Sequence, residues 1–273
     1  MLLVTGSNGQ LGTELKALLP DALYVDLPDL DITDETAVSE FVKTNAVDTI
    51  INAAAYTAVD KAEDDADTCY KVNVLGSMNL AKTGAKIIHV STDFVFDGQK
   101  STPYSETDAT NPQSVYGQTK RDGERAVMDL SSTCAVFRTA WLYSPYGNNF
   151  VKTMRRLGAE RETLNVVFDQ VGTPTYAADL ASAIVTALPQ IREGSKEIYH
   201  FSDEGVASWY DFACEIMRLS GLKCRVTPIT SDQYPRKAKV PSYSVLNKAK
   251  VKSVFGVTIP HWQESLEKCL KQF

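Results

Sequence analysis

A chain of 273 residues, 44% hydrophobic and 23% charged, holds enough apolar material for one large α/β domain or for a nucleotide domain carrying a smaller lobe. Its formal net charge of −6 and the lack of any long Lys/Arg run exclude a nucleic-acid partner, so an anionic ligand has to be met by locally placed cations. No apolar run reaches the roughly 18 residues of a membrane span, and neither the five cysteines nor the three histidines show metal-ligand spacing; we expect no metal site and reduced thiols in a cytoplasmic protein.

In chain order, short apolar runs alternate with helical patterns. The first, Leu2–Thr5, reads as a strand that runs directly into Gly6-Ser7-Asn8-Gly9-Gln10-Leu11-Gly12 and a helix over Gln10–Leu19. GxxGxxG in a strand-turn-helix context is the arrangement that lets backbone approach a pyrophosphate and turns the free N–H groups of a helix N-terminus toward it. A second strand, Ala22–Asp26, ends in a carboxylate 20 residues after Gly6. There it accepts from ribose hydroxyls and disfavours a 2′-phosphate, although Asp29, Asp31 and Asp34 follow closely and Asp26 also reads as a plain loop residue.

The helix Asp34–Thr44 leads to a third strand, Thr49–Asn52, closed by Ala53-Ala54-Ala55-Tyr56-Thr57, whose small side chains let a cofactor lie against the backbone. After a helix over Asp67–Lys82, the strand Lys86–Ser91 delivers Thr92 and Asp93 at its end. The helix Ser114–Met128 then carries Tyr116 and Lys120, four apart and therefore on one face. That pair suits carbonyl reduction: the phenol supplies the proton that a developing alkoxide needs, a neighbouring ammonium is expected to lower its pKa, and the Thr92 hydroxyl orients the carbonyl.

A fifth strand, Cys134–Arg138, completes a βαβ series, and the fold class expected is α/β, a Rossmann-type doubly wound parallel sheet with a smaller C-terminal substrate lobe. The sheet is assigned to residues 1–190, with part of the substrate lobe inserted near 142–162, and residues 191–273 mainly to that lobe. Within the last third, Ala207–Ser220 and His261–Leu270 have helical spacing, while Ile229–Val245, with Pro235 and Pro241, reads as an ordered loop.

These residues resemble the extended short-chain dehydrogenases, and more closely the dTDP-4-dehydrorhamnose reductase family. The resemblance runs through Asn52–Glu63, Ser91–Gly98, Arg138–Tyr143, Gly147–Met154, Asp169–Thr175, Ser208–Phe212 and Ser242–Leu246, nearly the whole chain. It implies Tyr116 as acid assisted by Lys120 and Thr92, with Thr92, Asp93 and Trp141 touching a sugar nucleotide. It also implies Gly9, Gln10, Leu11, Asp26, Asp31, Ile32, Ala55, Tyr56 and Thr57 along an NADPH or NADH site, beside Gly6, Gly12 and Ala54 of the two turns and beside Tyr116 and Lys120, whose ammonium can donate to the nicotinamide ribose. The implied reaction reduces the 4-keto group of dTDP-4-dehydro-L-rhamnose; a nucleotide-sugar substrate and a homodimer are the partners it suggests. Trp141 has a second reading as a core aromatic behind a buried strand.

The sequence departs from the family in two places. Val240 stands where an Arg precedes the Pro of the late loop, leaving Arg236, Lys237 or Lys239 to meet a diphosphate, and Asn73–Gly84 is about one helical turn short. Two other readings stay open: a reductase or epimerase of another nucleotide-linked deoxysugar, and a non-catalytic NADP-binding regulatory subunit similar to the methionine adenosyltransferase β subunit. The intact Thr92, Tyr116 and Lys120 set speaks against the latter.

Overall fold

The structure is a computed structural model that describes residues 1–273. Six parallel strands form the central sheet: β1 (Leu2–Thr5), β2 (Leu23–Val25), β3 (Thr49–Asn52), β4 (Lys86–Thr92), β5 (Cys134–Thr139) and β6 (Lys196–His200), in the spatial order β6-β5-β4-β3-β1-β2. The strand order reverses between β1 and β3, the place where such sheets open a crevice. Each central strand is apolar on both sides. Leu3, Ile50, Ile87 and Cys134 feed one core and Val4, Ile51, Ile88 and Ala135 the other, as the period-2 alternation of strand side chains requires.

The expected helices form with caps that their own sequence supplies. Asp34 accepts from the Ala37 amide at the start of Glu35–Thr44, and Ser114 from the Gly117 amide at the start of Val115–Leu130. The Ala207–Ser220 segment, expected to be helical throughout, starts as a strand: Ala207–Ser208 pairs with Val171–Gly172, and a Ser208/Asp211 capping box then opens the helix Trp209–Leu219. The helical stretch after β3 runs from Ala66 to Lys82 in three pieces, the middle one, Lys71–Gly76, a π-helix. The short Asn73–Gly84 segment thus stays helical as far as Lys82, without one regular phase.

Several elements were not foreseen. The sixth strand, Lys196–His200, lies beyond residue 190, exposed at Lys196 and Glu197, an edge position with little hydrophobic signal. Helices Ala177–Ala187 and Ala249–Phe255 cover the same face of the sheet. A separate core under the cleft gathers Tyr143, Val151 and Met154 from the inserted segment with Phe212, Ile216, Trp262 and Leu266 from the C-terminal third. A parallel pair, Thr163–Val167 with Arg225–Ile229, edges that core, so Ile229 ends a strand rather than beginning a loop. The five cysteines are unpaired, and no helix is long and apolar enough to cross a membrane.

One buried ion pair ties the helix Val115–Leu130 to the sheet. Arg138 at the end of β5 donates from Nε and Nη2 to the two carboxylate oxygens of Glu124 at 2.9 and 2.7 Å, with both side chains under 5% exposed. Removing one partner strands a charge without water, so Glu124→Ala should lose about 3–5 kcal/mol of stability. Urea denaturation checks this; a loss under about 1 kcal/mol, the scale of exposed pairs, would show that the pair does not behave as buried.

Candidate active site

A cleft of about 1070 Å³ opens at the carboxyl ends of the strands, and every residue assigned above to catalysis, cofactor or sugar nucleotide lines it. Gly6 has φ +68°, and a Cβ there would lie 2.5 Å from the Ala54 nitrogen; on Gly12 one would lie 2.4 Å from the Gly6 carbonyl. The turn after β1 is therefore packed backbone to backbone against the turn after β3, a cradle that fits a pyrophosphate and leaves no room for side chains. Asp26 stands beside it, accepting from the Asn8 and Leu27 amides, both at 2.9 Å. Asp31 accepts from the amide and hydroxyl of Thr33, and Leu11, Ile32, Ala54, Ala55, Tyr56 and Thr57 complete the wall.

Gln10 reaches the cleft too, but its amide is already engaged. It donates to the Leu142 carbonyl at 3.3 Å and accepts from Ser144 and Asn149, joining the first helix to the inserted segment. Asn73, unforeseen, plays a similar part. From the π-helix its side chain accepts from the Tyr56 amide at 2.9 Å and donates to the Tyr56 carbonyl and to Thr119, so it pins the turn after β3 to the helix Val115–Leu130.

Tyr116 and Lys120 lie together in the cleft wall, both buried. Gly117 between them allows the approach: a Cβ there would sit 2.3 Å from the Phe94 carbonyl. Lys120 donates to the Val90 carbonyl of β4 at 2.7 Å, and burial holds its pKa down to about 8. The expectation that this ammonium lowers the phenol pKa is corrected by the structure. Burial drives the Tyr116 pKa well above its usual value, and the nearby Asp93 carboxyl adds to the rise; only the Thr92 hydroxyl, hydrogen-bonded with the phenol, counteracts it. Buried away from solvent, the phenolate costs more than a lysine already bonded elsewhere can offset.

Thr92 donates to Asp93 Oδ1 at 3.0 Å and accepts from the Phe94 amide at 3.2 Å. Asp93 is 2% exposed, its Oδ2 has no partner, and burial raises its pKa to about 6, partly offset by Ser244 and Thr92. Across from these groups Trp141 is no core aromatic. It is partly exposed in the cleft at φ +48°, a backbone conformation costing on the order of 1–3 kcal/mol, and stacks on Trp209 with centroids 3.6 Å apart at 7°. Trp209 was missed; the signal for it was a large aromatic placed directly after the Ser208 cap.

The three basic residues of the late loop separate. Arg236 reaches the cleft, paired with Asp60; Lys237 pairs with Asp64 outside it, and Lys239 donates to Gln113 at 3.2 Å.

Fold and cleft together define a dinucleotide-dependent oxidoreductase of the short-chain dehydrogenase type. The family described as RmlD substrate binding domain matches residues 1–273, and the chain belongs to it. It is similar to the dTDP-4-dehydrorhamnose reductase of Aggregatibacter actinomycetemcomitans, 43% identical over 97% of both chains. A solved dTDP-4-dehydrorhamnose reductase from Clostridium acetobutylicum superposes with a TM-score of 0.95 at 44% identity, covering 99% of this chain and 98% of that one. The enzyme of that name from Bacillus anthracis, solved in complex with NADP, matches with a TM-score of 0.95 at 38% identity, over 100% of this chain and 99% of its own.

Because Asp26 presents its carboxylate at the end of β2, Asp26→Ala should weaken NADH binding more than NADPH binding. Fluorescence titration with each cofactor measures the difference, and equal affinities before and after the change would place the ribose contact elsewhere.

Proposed function

We propose that this chain reduces the 4-keto group of dTDP-4-dehydro-L-rhamnose to give dTDP-L-rhamnose, with NADH or NADPH as cofactor and Tyr116 as proton donor. The observation that carries this reading is the convergence of Tyr116, Lys120, Thr92 and Asp93 on one cleft wall opposite the Trp141–Trp209 stack. The nicotinamide, when bound, supplies the hydride. The residues of the chain supply the rest. The Tyr116 hydroxyl transfers its proton to the oxygen that gains charge as the ketone becomes an alkoxide, and the Thr92 hydroxyl beside it lowers the cost of the phenolate left behind.

The raised phenol pKa fits this direction of chemistry. An acid has to arrive protonated, and an alkoxide is far more basic even than a buried phenolate, so transfer still runs downhill. Lys120 keeps its charge in the same cleft wall as the phenol and would donate to the nicotinamide ribose when the cofactor is bound. Its carbonyl partner, Val90, fixes the ammonium without neutralising it. The paired indoles offer a flat apolar face of the kind a sugar ring packs against, and the closed wall around Tyr116 keeps water from competing for the proton.

Oxidation of NADPH or NADH by the 4-keto sugar nucleotide, with identification of the product, tests the reading directly. No oxidation with this substrate, but turnover of another 4-keto nucleotide sugar, would move the assignment to that deoxysugar. Tyr116→Phe keeps the ring, so cofactor affinity should stay and turnover should drop by ~10²-fold or more, the usual scale of general acid catalysis; turnover near normal refutes the role.

A pH dependence follows from Lys120. Its depressed pKa means that the ammonium is present below about 8 and lost as pH rises through that value. The kcat/KM profile of the free enzyme should therefore fall on the alkaline side with an apparent pKa near 8. A profile that stays level there would show that catalysis does not use the charge.

A further inference from the structure

The charged side chains lining the cleft are Asp26, Asp31, Asp93, Lys120 and Arg236. Two of the five are cations, and Lys120 is committed to the Val90 carbonyl beside the phenol. A nucleoside diphosphate entering this cleft therefore finds one further positive group, Arg236.

That group is held in a particular way. Asp60 grips the guanidinium from the side: Nε donates to Oδ2 at 3.0 Å and Nη2 to the same oxygen at 2.9 Å, while Oδ1 also accepts from the Ala238 amide at 3.2 Å. The grip uses the Nε edge and leaves the Nη1 end of the fork without a protein partner, on a side chain 32% exposed. An arginine fixed along one edge presents the other as a preformed bidentate donor, the geometry that matches phosphate oxygens. The neighbouring Lys237–Asp64 pair fastens the same loop from outside.

The position of the pair selects the ligand. Asp60 lies on the short helix Val59–Ala62, in which Val59 packs with Tyr116 and Phe94, and Glu63 at its end accepts from the Val115 amide at the head of the catalytic helix. The pair thus sits on the catalytic side of the cleft, while Asp26 and Asp31, following β2, mark the adenosine side. We infer that Asp60 is a positioning residue that holds Arg236 as the diphosphate receptor of the sugar nucleotide, in place of the arginine that Val240 replaces. The inference rests on the nucleotide-sugar reading of the proposed function.

Calorimetric titration of the NADPH-loaded protein with dTDP, and separately with UDP, tests it. Asp60→Asn and Arg236→Gln should each weaken dTDP by about tenfold, the scale of one charge-assisted contact, with the kinetic loss falling on KM rather than kcat and NADPH affinity held. The double variant should bind no worse than Arg236→Gln, because Asp60 acts through the arginine, and Asp60→Glu should recover part of the loss. Unchanged dTDP affinity in either single variant, or losses that add in the double variant, overturns the inference. Binding of UDP but not dTDP, with the variants weakening UDP, removes the thymidine assignment and leaves the role of Asp60 standing. Failure of the unmutated chain to bind either nucleotide overturns both.

Discussion

The backbone of Gly6 lies directly against the backbone of Ala53 and Ala54, and the cleft depends on that contact. The turns after β1 and β3 come from opposite sides of the point where the strand order reverses. With no side chain between them they form one continuous floor of peptide groups. Every other part of the site is placed relative to this floor. Asn73 clamps its β3 side to the catalytic helix, Gln10 clamps its β1 side to the inserted segment, and Gly117 lets Tyr116 and Lys120 descend to the level of β4.

Desolvation sets the electrostatics of the cleft more than charge pairing does. Lys120, Asp93 and Tyr116 are all shifted toward their neutral forms, with burial the largest cause in each case. A site biased in this way favours proton transfer over charge storage. It holds a neutral phenol next to a lysine whose pKa is held down to about 8, in a protein whose net charge of −6 gives an anionic ligand no general attraction. On the nucleotide-sugar reading, binding energy then has to come from local features, the indole stack and the guanidinium of Arg236.

The second core explains how a Rossmann sheet acquires a further cleft wall. Tyr143, Val151 and Met154 leave the sheet domain after β5 and pack with helices from residues far later in the chain. Trp141 stands where the chain departs from β5, and its left-handed backbone turns the indole toward Trp209. The strain at that residue is tolerated because Gly172 leaves space behind the ring; a Cβ on Gly172 would lie 2.8 Å from it.

Local chemistry was legible in the sequence wherever it acts over a few residues. Glycine spacing, helix caps, strand ends and the Tyr116/Lys120 periodicity each depend on neighbours along the chain, and they located five of the six sheet strands and the cleft wall. The edge strand Lys196–His200 was silent because only Ile198 and Tyr199 of its five residues are apolar, too short a run to signal a strand. What only the tertiary structure decided are effects of contact across long separations. Burial reversed the expected shift of the phenol, since desolvation depends on everything packed around a residue and not on the lysine four positions away. Asp60, 176 residues from Arg236, chose which of three neighbouring cations faces the cleft, because an ion pair is selected by distance in space, and spacing along the chain carries no record of it.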